Sequence, residues 1–335
     1  MTTVAVVGAT GAVGRTMVSL LGERAFPAEH LRLMASARSA GASLETWLGE
    51  VEVEDLAQAD PDGVDVALFS AGGDRSREHA ERFVDAGAVV IDNSSAFRME
   101  PNVPLVVVDV NDEAAGHHEG IIANPNCTTM TLMMAAAPLH ETAGLVSVVV
   151  TSYQSVSGSG QQGVTELLGQ IEHFGKDIDS MMGGGWEEPG LGVYPRPIGY
   201  NVLPFAGDEQ EAGYTTEELK LVNESRKILS LPDLAVEPTC VRVPTLVGHG
   251  VAATLRFERR VSADEAMAVF VSAPGVALWK DRTPTPLDSA GIDDVLVGRV
   301  RETIGEPGGI NLWAVADNLR KGAALNAVQI AELLV

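Results

Sequence analysis

Cysteine is nearly absent from this chain: Cys127 and Cys240 are the only two in 335 residues. So few thiols cannot build a disulfide framework, which excludes a small, stapled, secreted scaffold. Positive charge is scarce too, with 23 Lys and Arg against 46 Asp and Glu and a net charge of -23. Binding to a phosphate backbone needs a clustered basic surface, so nucleic acid is not an expected partner. An anionic membrane surface is disfavoured on the same ground. A small anionic substrate stays open, because a few local arginines can bind it while the rest of the surface remains acidic. No apolar run reaches the roughly 20 residues that a membrane span requires. The N-terminus shows neither a basic n-region nor a cleavage site and runs straight into an apolar strand. The expected location is cytoplasmic. What is present is an ordinary globular composition, 45% hydrophobic and 21% charged, in a chain too long for one core. Two domains are expected.

The first of them reads as strands alternating with helices. Thr3 to Val7 is an apolar, β-branched run ending at Gly8, followed by a Gly-spaced turn and a periodic stretch from Val13 to Leu21. Further strands are expected at Leu31–Ala35, Val64–Phe69, Val89–Ile91, Leu105–Val108 and Ile121–Ala123, with a helix over Arg75–Ala86. Near-continuous apolar strands of this kind signal a parallel sheet buried on both faces. After Asn126 the pattern changes. A helix from Thr128 to Leu139, stopped by Pro138, leads to strands at Val146–Gln154, Val236–Val243, Val251–Phe257, Val295–Arg301 and Leu312–Ala316. Helices are expected at Thr165–Phe174, Thr215–Leu229 and Asn326–Leu334, and a Gly-rich loop over residues 182–192. Strand dominance suits an antiparallel sheet in an α+β domain.

Gly8-Ala-Thr10-Gly11-Ala12-Val13-Gly14 closes the first strand and opens the first helix, where a dinucleotide fingerprint belongs. Glycines there let a pyrophosphate approach N–H groups at the helix start. The spacing is GxxGxxG, not GxGxxG, so a plain Gly-rich turn is the competing reading. The second strand ends in Ala35-Ser36-Ala37-Arg38-Ser39. An NAD site places an acid at that point. Here there is no carboxylate and one guanidinium, which favours NADP; a solvated surface arginine is the alternative. Gly73, in the turn Ser70-Ala-Gly-Gly73, is a further candidate cofactor contact.

The most informative hexapeptide is Asn124-Pro-Asn-Cys127-Thr-Thr129. Pro125 biases Asn124 away from helix, so Cys127 falls at a helix start, where unpaired N–H groups and the dipole favour a thiolate. Polar flanks argue against its being a buried apolar filler, the usual state of a free cysteine; Cys240, inside a strand, fits that description better. A thiolate next to a nicotinamide implies a thioester and a hydride transfer. Among seven histidines, His249 stands apart because Gly248 and Gly250 flank it, and glycines allow a ligand to come close.

These features combine into a resemblance. Asn-Pro-Asn-Cys127-Thr-Thr, Ser152-Tyr-Gln154-Ser-Val-Ser157-Gly158, Arg242 followed by His249, Asn93-Ser-Ser-Ala-Phe-Arg98, Gly213-Tyr-Thr-Thr-Glu217-Glu-Leu-Lys220 and Asp317-Asn318-Leu-Arg-Lys-Gly together resemble the bacterial aspartate-semialdehyde dehydrogenases, in order and over nearly the whole chain. The resemblance implies a Rossmann-type doubly wound α/β domain over residues 1–126 and 316–335. An α+β catalytic and dimerisation domain would occupy 127–315. It implies reductive dephosphorylation of β-aspartyl phosphate to aspartate β-semialdehyde with NADP, a step toward lysine, threonine, methionine and diaminopimelate. Cys127 would be the nucleophile, His249 the acid–base catalyst, and Gln154 a neighbour of the acyl group. Arg242 would pair with the substrate α-carboxylate, a task suited to a guanidinium fork. Glu217 would bind the α-ammonium, and Arg98 with Lys220 the phosphate. Read without the resemblance, Glu217 and Lys220 pass as an exposed helical ion pair. Ser157, Gly158 and Asn318 would contact the cofactor near the nicotinamide. No metal is implied, and a homodimer or homotetramer is. Two other readings stay open: another acyl-phosphate or acyl-CoA reductase on the same scaffold, and a non-catalytic NADP-binding regulator.

Overall fold

A computed structural model describes residues 2–190, 192–305 and 307–335; Leu191, inside the expected 182–192 loop, lies outside them. The chain divides into two compact units. The first comprises Met1–Ala137, Asn223–Asp233 and Leu319–Val335, and the second comprises Pro138–Val222 and Leu234–Asn318.

The elements in chain order begin with β1 (Thr2–Val7), α1 (Ala12–Glu23), β2 (Ala28–Ala35), β3 (Ser43–Thr46) and β4 (Gly49–Asp55). Next come β5 (Val66–Phe69), α2 (Gly73–Asp85), β6 (Val89–Asp92), β7 (Ile121–Ala123) and α3 (Cys127–Ala143). In the first unit the strands form one seven-stranded sheet in the order β3-β4-β2-β1-β5-β6-β7. It is parallel from β4 through β7, with β3 antiparallel at the edge. Alternation along β1 shows why the sheet is covered on both sides. Val4 and Val6 pack with Met17, Leu20 and Leu21 of α1, whereas Ala5 and Val7 pack with Ala80 and Phe83 of α2. A doubly wound sheet results.

The expected strand at Leu105–Val108 is corrected: only Leu105 makes a bridge, to Ala123. Beyond it the amides of Val107 and Val108 leave the ladder and donate to the side chains of Asn111 and Asn326. Pro138 does not stop α3 either, since the helix continues to Ala143 with the proline inside it. The helix carries on through Leu139 and Ala143, both buried, whose packing offsets the one ladder bond the proline removes.

The remaining elements are β8 (Leu145–Gln154), α4 (Gly160–Phe174), α5 (Ile178–Met182), α6 (Thr216–Ile228), β9 (Ala235–Arg242), β10 (His249–Phe257) and α7 (Ala263–Ser272). They are followed by β11 (Val276–Trp279), α8 (Pro286–Ser289), β12 (Val295–Glu302), β13 (Ile310–Ala316) and α9 (Leu325–Glu332). The second unit's sheet runs β11-β12-β13-β10-β8-β9. It is mixed, not antiparallel as expected: β8 with β9 and β11 with β12 pair in parallel, the others antiparallel. One face of its centre is buried through Val148, Val150, Val251 and Leu255. The other carries Val149, Thr151, Tyr153, Thr254 and Trp313, all exposed or half-exposed. The C-terminal α9 belongs to the first unit, where Leu325, Val328 and Ile330 are part of the core under α1.

Candidate active site

In the first unit Cys127 opens α3. Asn126 caps that helix: its Oδ1 accepts from the amides of Thr128 at 2.9 Å and Thr129 at 3.3 Å. The expectation that the helix proper begins near Thr128 is thus one residue late, and Cys127 occupies the first helical position. It is half-buried, and neither cysteine is in a disulfide. Its approach segment is held on all sides. Asn124 Nδ2 donates to Asn93 Oδ1 and to Ala323 O, and Asn124 Oδ1 accepts from Asn326. Arg98, 7% exposed, donates through Nε to Asn124 O, through Nη2 to Asn93 O and through Nη1 to Glu224.

Glu224 is the residue that sequence reasoning missed here. Its carboxylate is 1% exposed; one oxygen takes the Arg98 guanidinium at 3.0 Å, the other the Asn126 amide at 2.7 Å. Lys227, one turn on, donates to the carbonyls of Arg98, Glu100 and Val103. Acid and base three residues apart on one helix face was the available signal, but it reads as a surface pair.

In the second unit a buried cluster forms where β8 and β9 end and β10 begins. His249 is fully buried, and its Nδ1 accepts the Ser155 amide at 3.1 Å. Its Nε2 has no hydrogen-bond partner among the described residues. Burial above all, with the Arg242 charge second, pushes its pKa down to about 3, against the opposing pull of Glu217 and the Gly248 backbone. Arg242, 6% exposed, donates Nη1 to Ser155 O at 2.8 Å, while its Nε is a second buried donor with no partner among the described residues. A Cβ on Gly158 would stand 3.1 Å from both Arg242 Nη1 and His249 Nε2, so only glycine leaves that space open. The flanking glycines have another reason than ligand approach. A Cβ on Gly248 would meet Pro286 and Ser289, and one on Gly250 the Trp313 ring.

Gln154 is buried, with Nε2 3.3 Å from Ser152 Oγ and 3.4 Å from Glu217 Oε2. Lys220 and Glu217 pair at 2.6 Å with side chains 29% and 13% exposed, so theirs is not an exposed surface pair. Arg242 and Glu217 line a cavity of about 270 Å³ together with Gly158, Tyr194 and Phe205. Asn318 Oδ1 accepts from Gly248 N, Ser155 Oγ and Ser157 Oγ. Tyr194 and Ser155 were not singled out from sequence; neither type nor spacing marks them.

Apart from Ser157, Gly158 and Asn318 in the second unit, the cofactor candidates follow strand ends of the first sheet. Gly8 has φ +89, and a Cβ there would collide with Ser70 O; one on Gly14 would collide with Gly8 O. The turn itself demands both glycines. Gly11 caps α1 with no side-chain hydrogen bond, and the first turn carries no acid, a donor set suited to phosphate. Thr10 and Ser39 meet at 3.4 Å, joining this turn to the Ser36–Arg38 loop, where Arg38 is exposed. Gly73 opens α2. Among the described residues no group of His, Cys, Asp and Glu stands together as a metal site.

Comparison with known proteins gives the context. Residues 3–118 match the semialdehyde dehydrogenase NAD binding domain, and residues 136–321 the semialdehyde dehydrogenase dimerisation domain. The aspartate-semialdehyde dehydrogenase of Corynebacterium glutamicum is 51% identical over the full length of both chains. That of Streptomyces akiyoshiensis is 53% identical over 99% of this chain and 98% of its own.

The chain belongs to the aspartate-semialdehyde dehydrogenase family.

A solved member, aspartate semialdehyde dehydrogenase II from Vibrio cholerae complexed with ASA, superimposes with a TM-score of 0.93 at 43% identity, covering all of this chain and 98% of that one. As a member of the aspartate-semialdehyde dehydrogenase family the chain is an oxidoreductase with a nicotinamide-nucleotide-binding domain, followed by the family's dimerisation domain.

Proposed function

We propose that this chain interconverts β-aspartyl phosphate with aspartate β-semialdehyde and inorganic phosphate, using NADP, through a thioester on Cys127. The observation that carries the reading is Cys127 at the first position of a 17-residue helix, where the positive end of the helix dipole favours the thiolate. That thiolate attacks the acyl carbon, phosphate leaves with the electrons of the broken C–O bond, and the acyl group stays on sulfur. A bound nicotinamide supplies the hydride that reduces the acyl group, or accepts it in the reverse direction.

The chain's own residues bind and orient. Arg242, with an orphaned buried Nε, takes the α-carboxylate, and Glu217 on the same cavity takes the α-ammonium. Lys220 and Arg98 hold the phosphate; Arg98 has five N–H donors and uses three in the contacts above. Gln154 lies along the acyl group, and His249 serves the reacting oxygen. Gly8, Thr10, Gly11, Ala12 and Val13 hold the pyrophosphate, and Ser36, Arg38 and Ser39 the 2′-phosphate. Gly73, Ser157, Gly158 and Asn318 surround the nicotinamide ribose and ring.

The names of the full-length relatives support this substrate, as does the ASA complex of the Vibrio cholerae protein. The open face of the second sheet, with Val149 44% exposed, takes a second copy of the chain, in the cytoplasm. The test is phosphate-dependent reduction of NADP by aspartate semialdehyde, with Cys127→Ser as control. N-acetylglutamyl phosphate and malonyl-CoA are run alongside in the reductive direction. Turnover that survives in Cys127→Ser, or that follows one of the other two acyl donors, overturns the proposal.

A further inference from the structure

We infer that the Ser155 backbone amide fixes His249 as the neutral tautomer with its proton on Nε2. His249 then serves as a hydrogen-bond donor to the reacting oxygen and not as the base that ionises Cys127. The inference rests on the reaction proposed above and sharpens the role of one residue in it.

A backbone N–H can only donate. With the Ser155 amide 3.1 Å from Nδ1, that nitrogen must present a lone pair, and in a neutral imidazole the proton is then on the other nitrogen. The Ser155 hydroxyl also stands 3.2 Å from Nδ1 and, able to donate or accept, fits either tautomer; the amide does not, and a proton on Nδ1 would set that obligate donor against a second donor at a fully buried ring. Ser155 is itself held in place. Its hydroxyl is 3.1 Å from Asn318 Oδ1, and the same oxygen accepts the Gly248 amide at 2.9 Å. That second obligate donor also settles which end of the Asn318 amide faces inward. Ser155 O takes Arg242 Nη1, so Arg242 and His249 are positioned from opposite ends of one residue.

The imidazole also stays uncharged. Arg242 from β9 and Glu217 from α6 are the charged groups acting on it; burial and Arg242 both disfavour its charge, and together they outweigh Glu217. Ser155, Gly158 and Asn318 around it are neutral. The orphaned Nε2 then carries the only proton the ring can offer, in a fully buried setting.

The chemistry needs no more than that. Every tetrahedral adduct on the sulfur carries its negative charge on the former carbonyl oxygen. Each collapses by returning that electron pair to the C–O bond as a group departs. A donor held at that oxygen stabilises the charge without removing it. An imidazolium would protonate the adduct and halt its collapse. Thiolate formation is left to the start of α3.

Two measurements test this on the full chain without cofactor. Long-range proton–nitrogen correlation spectra of histidine-labelled protein, with His249→Gln to assign the signals, should show Nε2 protonated and Nδ1 bare from about pH 5 to about pH 9. A Nδ1–H ring or an imidazolium at neutral pH overturns the inference. The pH profile of Cys127 alkylation should differ by less than about twofold at each pH between parent and His249→Gln. A midpoint raised by about one unit, a tenfold loss of thiolate at fixed pH, assigns the base role to His249 and overturns it. Cys240, buried and pushed up to about 12, adds no background. Ser155→Ala keeps the amide and should retain the tautomer; loss of the Nε2 proton signal there refutes the assignment of the lock to the backbone. None of these readouts is turnover, so failure of the reaction and failure of the tautomer are separate results.

Discussion

Replacing Glu224 tests the support under Cys127 most directly. Its carboxylate is almost wholly buried and holds two partners, the Arg98 guanidinium and the Asn126 amide, at 3.0 and 2.7 Å. Glu224→Ala leaves a buried cation and a buried N–H without their acceptor, and breaking such a pair from one side costs about 3–5 kcal/mol. A domain of roughly 150–250 residues loses about 2–4 °C per kcal/mol, so the melting temperature should fall by about 6–20 °C. Glu224→Gln keeps an acceptor for Asn126 but loses the charge-assisted bond, about 1.5–3 kcal/mol, and should fall less. The decisive variant removes both charges. Arg98→Met with Glu224→Leu leaves nothing ionised and buried alone, so it should melt above Glu224→Ala. Thermal unfolding followed by far-UV circular dichroism at neutral pH reads all three. If Glu224→Ala melts within about 2 °C of the parent, or if the double variant is worse than the single one, the pair is not what holds this segment.

Gly158→Ala meets no backbone penalty, since no positive φ is needed there, so its cost to stability is limited to the crowding, about 1–3 kcal/mol. Its Cβ at 3.1 Å from Arg242 and His249 displaces both, and kcat should drop by roughly 10–100-fold; unchanged steady-state kinetics refutes the crowding argument. Arg38→Ala should raise the KM for NADP by about 10–100-fold, the worth of a charge-assisted contact, and leave that for NAD alone. Equal effects on the two cofactors would remove Arg38 from the 2′-phosphate. His249 also sets a pH dependence of stability. Its folded pKa of about 3 lies below the ordinary 6.5, so the unfolded chain binds a proton that the folded chain refuses. The stability it contributes is whole above pH 6.5 and is lost as pH falls toward 3. Urea midpoints measured down the acid limb should fall more steeply in the parent than in His249→Gln; parallel limbs would show that the ring does not stay neutral.

What could be read from sequence follows from how locally each feature is encoded. β1, β5 and β6 are legible because both faces are buried, which leaves an unbroken apolar run. β3 and β4 were not, because an edge pair alternates Glu with Val and looks like polar connection. The apolar run from Leu105 to Val108 misled in the opposite sense, as it is buried without joining the ladder beyond Leu105. Pro138 misled because a breaker rule counts the ladder bond it removes and not the burial of Leu139 and Ala143 that carries the helix past it. Among the site candidates, a cysteine after Asn-Pro-Asn and a histidine between glycines carry side-chain types that announce chemistry. Ser155 and Glu224 act through backbone amides: one offers its own N–H, the other accepts that of Asn126. Every residue except proline has such a group, so no residue type distinguishes the amide that matters. The polar groups that orient reactive side chains are therefore the last to be found from sequence and the first to appear once each buried donor is asked where its proton goes.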